Sequence, residues 1–99
     1  MVTSSAPSPS LLRVFPDYCA DPVWNDTGMA DLDALQVSRW LQDELREWAR
    51  EWEDLMGVRE LRYAIVDERA HRVWQRRGRK LAQQLQADLG DTYSLEYRE

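Results

Sequence analysis

Five aspartates crowd one stretch of this 99-residue chain: Asp17, Asp21, Asp26, Asp31 and Asp33. Carboxylates at that density are the hard oxygen ligands that calcium and magnesium take. Their spacing fits no EF-hand, and acids in a turn-rich connection ordinarily stay solvated, so no metal and no other cofactor is expected. Cys19 could act as a nucleophile only with a base and a group to orient that base, and nothing in the sequence brings the sole histidine, His71, near it. A free cysteine of this kind reads as a small buried hydrophobe. No catalytic residue emerges, and the chain is expected to bind rather than to catalyse.

Two charged surfaces remain. Trp40, Glu44, Glu47, Glu51 and Asp54 recur at alternating gaps of four and three and therefore form one row on a helix. Aromatic residues anchor interfaces and acidic rows steer association, so this row is a candidate docking surface for another, basic, protein. Its alternative is a solvated face with Trp40 tucked under the 16–34 connection, in which Trp24 is a further candidate contact. On a later helix Arg69, Arg72, Arg76, Arg79 and Lys80 share an arc, and Arg72, Arg76 and Arg79 in particular could bind anions, including nucleic-acid phosphates. That arc lacks the interleaved aromatics of a single-strand platform. It reads instead as a solvated basic face, one that could answer the acidic helix of a neighbouring copy in a homo-oligomer; a nucleic-acid binder is the alternative function.

Composition points the same way. The formal charge of −5 is polarised: residues 17–57 carry eleven acids and three bases, residues 58–80 eight bases and three acids. Overall acidity disfavours nonspecific nucleic-acid binding. One cysteine excludes an intrachain disulfide, no apolar run reaches the length of a membrane span, and the N-terminus lacks the basic start and apolar block of a secretory signal, so a cytoplasmic protein is expected.

These side chains must be positioned by few elements. A chain of this length supports one core. Residues 1–10 are Ser, Pro, Thr and Ala rich and are expected to form an unstructured tail, leaving residues 11–99 as a single domain. Residues 11–15 suit a strand and 16–34 a long loop, with Asn25-Asp26-Thr27-Gly28 its strongest turn signal. Over residues 35–56, Val37, Leu41, Leu45, Trp48, Trp52 and Leu55 form a core-facing stripe on the central helix, capped by Ser38 and closed by Gly57. Leu61, Tyr63 and Ile65 alternate as a short strand would. Asp67 caps a second helix that runs to about Leu89 and ends at Gly90, with Ala70, Trp74, Gly78, Leu81, Ala82, Leu85 and Leu89 inward. Gly78 within that stripe allows close approach to a tryptophan of the first helix. Residues 92–98 alternate as a last strand, with Tyr93, Leu95 and Tyr97 on one face. The sum is an α+β fold, two long helices on a small two- or three-stranded sheet; a helical hairpin with a two-stranded ribbon is the alternative.

Val23-Trp24, Gly28, the helix bearing Trp48, and the tail Gly78-x-x-Leu81-Ala82, Leu85, Asp88-Leu89-Gly90, Tyr93 and Tyr97 resemble a family of small uncharacterised bacterial proteins of about this length. The resemblance covers most of residues 11–98, rests on core and capping positions, and transfers no catalytic residue. It implies the α+β fold and an immunity-like role, as partner or inhibitor of a toxin.

Overall fold

The computed structural model describes residues 9–98. Its elements are β1 (Ser10–Val14), β2 (Val23–Asn25), β3 (Gly28–Met29), α1 (Arg39–Met56), α2 (Glu68–Leu89), a 3₁₀ turn (Gly90–Thr92) and β4 (Tyr93–Tyr97). The strands form one mixed sheet in the order β3-β2-β1-β4. Strands β1 and β2 pair antiparallel, as do β2 and β3, while β4 returns from the helices to lie parallel to β1, Ser10 opposite Tyr93 and Val14 opposite Tyr97. The class is the α+β arrangement expected, with four strands rather than two or three. The unstructured-tail expectation lies outside the described residues for positions 1–8, and Ser10 is the first residue of β1.

Leu12, Val14 and Val23 from the sheet meet Leu41, Leu45 and Trp48 from α1 and Trp74, Leu81 and Leu85 from α2 in one core. Local chemistry sets the helix ends. Ser38 accepts from Leu41 N–H, Gly57 closes α1 at φ 66°, and Asp67 accepts from Ala70 N–H at the start of α2, satisfying terminal backbone groups as the sequence implies. The outer edge of β4 is covered by one side chain. Gln86 donates to the Tyr93 carbonyl at 2.8 Å and accepts from Leu95 N–H at 3.0 Å, standing in for a missing strand and blunting an open edge.

Two expectations need correction. The 16–34 connection contains the β2–β3 hairpin, whose turn is locked by Thr27 N–H donating to Asn25 Oδ1 at 2.9 Å. Residues 61–65 form no strand: Leu61 and Tyr63 sit at φ 56° and 52°, left-handed backbone that a ladder cannot contain. Between them Arg62 turns back, donating to the carbonyls of Leu55 and Ala64, and so fixes the connection between the helices.

Candidate protein-docking face

Helices α1 and α2 close on each other through paired tryptophans. Trp48 Nε1 donates to the Trp74 carbonyl at 2.9 Å and Trp74 Nε1 to the Trp48 carbonyl at 2.8 Å, with the indoles stacked at 4.4 Å and within 1° of parallel. Each ring is buried, and each brings its one polar atom to a partner, as burial of an indole requires. Gly78 makes this possible. A Cβ there would overlap Trp48 Cζ2 and the Tyr97 hydroxyl, so the close approach expected of this glycine is realised at Trp48. Trp52 lies further out, half-buried and packed on Tyr18 at 4.8 Å.

On the outer side of the same seam stands the acidic row. Trp40 is 57% exposed at the head of α1 rather than tucked beneath the 16–34 connection. Below it Glu44 and Glu51 are half-buried and Glu47 and Asp54 exposed. Arg77 of α2 reaches across to three of the four acids: its Nη2 lies 3.1 Å from Glu44 and 3.9 Å from Glu47, and its Nη1 pairs with Glu51. Burial pulls against the charged guanidinium, but the hydrogen bond and charge of Glu51, with those of Glu44 and Glu47, hold it above the usual arginine range. Three carboxylates on one guanidinium leave the face negative while fixing where its oxygens point.

Arg77 is the member of this site that the spacing of the row does not reveal. Its signal is its position: three residues after Trp74, it borders the inner stripe of α2, as Glu44, Glu47 and Glu51 border Trp48 on α1. The arginines singled out instead, Arg72, Arg76 and Arg79, lie exposed on the outward arc of α2. Trp24 is half-buried, stacked on Phe15 at 4.9 Å and donating to the Phe15 carbonyl at 3.0 Å, which ties it to the hairpin. The aspartates of the 16–34 segment are dispersed among separate roles. Asp21 takes two hydrogen bonds from Arg46 at 3.2 and 3.3 Å, Asp33 lies 3.8 Å from the same guanidinium, and Asp26 pairs with Arg13. Asp17 and Asp31 each accept from a nearby backbone N–H. The hydrogen bond from Arg46 to Asp21 raises that guanidinium's pKa despite partial burial, and it pins the segment to α1. Among the described residues no group of three or more His, Cys, Asp or Glu is placed to hold a metal ion. Cys19 is exposed rather than buried as its residue type suggests, its N–H donating to Glu53 at 2.7 Å, and His71 stacks on Trp74 at 5.7 Å.

Where α1 hands over to α2, large apolar side chains reach solvent: Tyr18, Leu61, Tyr63, Val66 and Val73 are all exposed. Beside the last turns of α1 lie two open grooves, of 540 and 600 Å³, which share Glu51 and Asp54; of those five apolar residues Val73 alone lines one of them. Val73 and Leu55 beside the carboxylates of Glu51 and Asp54 give the first of these grooves the composition of a protein-binding surface. Among the described residues no helix is long and apolar enough to cross a membrane. No curated protein matches the chain. A family model described as Serratia CdiI immunity protein-like matches residues 10–99, from the first strand through the last. The chain therefore belongs to the Serratia CdiI immunity protein-like family.

Proposed function

We propose that this protein is a non-enzymatic inhibitor of the immunity type, which neutralises a toxic protein by docking the outer face of α1 on a basic surface of it. Membership in an immunity-like family supports the class of partner. The observation that carries the site is the row from Trp40 to Asp54, an exposed indole followed by four carboxylates, three of which Arg77 orients without neutralising the row. At 1.5 Å per residue the row is about 21 Å long, a span suited to one side of a standard-size protein interface. A fixed acidic face raises the rate of encounter with a basic partner, and Trp40 supplies an anchor that charge alone does not. The reading places the protein in the cytoplasm, where an exposed thiol such as Cys19 stays reduced.

The test is capture from the native host with the tagged full-length chain, followed by expression of the captured protein with and without this one. A single protein should co-purify in stoichiometric amount, and its toxicity should be relieved by co-expression. Binding to arbitrary RNA or DNA with a steep salt dependence, and no stoichiometric protein, would overturn the reading.

A further inference from the structure

Asp54 is the one acid of the α1 row that Arg77 does not reach. It lies instead on the 540 Å³ groove between the last turns of α1 and the first turns of α2. The apolar lining of that groove comes from Leu55, Ala70, Val73 and Trp74, and its carboxylates from Glu51, Asp54 and Asp67. Val73 is 53% exposed, so the apolar lining opens to solvent. We infer that this groove receives one long basic side chain, arginine or lysine, of the protein partner proposed above, an inference that rests on that reading.

The chemistry follows from the shape of such a side chain. Arginine and lysine bury their methylene stems along apolar surface and keep the charged head among polar groups. The groove offers both in that order: an apolar wall formed by the two helices and carboxylates at its edge. Arg77 already displays the arrangement. It leaves α2 next to Trp74 and puts its guanidinium on Glu44, Glu47 and Glu51; a guest head group at Asp54 would extend the same ladder by one rung. Asp67 accepts from Ala70 N–H at 3.0 Å through Oδ1, and a carboxylate retains acceptor capacity beyond one such bond. Within the groove the three carboxylates of Glu51, Asp54 and Asp67 outnumber Arg69 and Arg77 by one, so the field favours a cation. Arg69 lines the same groove and competes with the guest.

The probe is the blocked peptide acetyl-Gly-Arg-Gly-amide, titrated into the isotope-labelled full chain and followed by amide and indole NMR shifts, with the Gly-Gln-Gly and Gly-Glu-Gly peptides as controls. Shifts should centre on Asp54, Ala70, Val73 and the Trp74 indole, saturate in the millimolar range and weaken with salt. Asp54→Asn with Asp67→Asn should weaken binding by about fivefold or more, since two exposed charge pairs are lost and asparagine preserves the helix cap. Arg69→Ala should strengthen it. Shifts confined to Glu44, Glu47 and Glu51, equal binding of the glutamine or glutamate peptide, or an unchanged affinity in the double variant would each overturn the inference. The two readings fail separately: a captured toxin whose complex is indifferent to D54N/D67N removes the groove and leaves the inhibitor reading standing.

Discussion

Trp74 and Arg77, three residues apart on α2, both bridge to α1, one toward the core and one toward solvent. The inward bridge is closed. Two stacked indoles exchange hydrogen bonds with each other's backbone, and Gly78 leaves no room for even a methyl group. The outward bridge is open, built from charges that water reaches and that Arg77 can share among Glu44, Glu47 and Glu51. The difference teaches where this fold tolerates change. A domain this small rests on a core with little to spare, whereas exposed ion pairs contribute little to stability, so the outer side of the seam is free to be shaped for recognition.

Substitutions should rank accordingly. Trp48→Ala removes a fully buried ring with its stacking and hydrogen-bond partner and should cost about 3–5 kcal/mol, with each kcal/mol lowering the melting temperature by about 4–8 °C at this chain length. Gly78→Ala should cost about 1–3 kcal/mol by overpacking, and a melting temperature at the wild-type value would show that the seam is looser than the indole geometry implies. Trp52→Ala should cost about 1–2 kcal/mol, because this half-buried ring packs on Tyr18 rather than filling the core. Arg77→Met should cost about 1 kcal/mol or less, and added salt should narrow its gap from wild type, which thermal melts at two ionic strengths will read. If Arg77→Met destabilised more than Gly78→Ala, the contrast between the two bridges would collapse.

The helices were legible because their signals are local. Ser38, Gly57, Asp67 and Gly90 cap chemically, and the apolar periods of α1 and α2 place Leu41, Leu45, Trp48, Trp74, Leu81 and Leu85 inward, where they are found. Within that period Trp48 and Trp52 look alike; only the tertiary packing, with Gly78 opposite Trp48, decides which is central. Strands of three and two residues, as in β2 and β3, are too short to carry an alternation, and the parallel pairing of β1 with β4 joins segments some eighty positions apart. Leu61, Tyr63 and Ile65 alternate by accident of composition, the backbone at two of them being left-handed. Of the site, the acidic row was readable from spacing, but its partner Arg77 lies on the other helix, and a one-dimensional pattern assigns it no more to the row than to its basic neighbours.

Because Glu44 and Glu51 are half-buried against Arg77, charge reversal is best placed at Glu47 and Asp54, the exposed acids of the row. The most direct test of the docking account is the association rate constant of Glu47→Lys/Asp54→Lys with the purified captured toxin across a range of salt, beside Arg72→Glu/Arg76→Glu, once circular dichroism has established that both variants fold. The account predicts that the first variant associates about tenfold more slowly at low salt with a flattened salt dependence, while the second associates at the wild-type rate. The reverse ranking, or wild-type association by both, would contradict it.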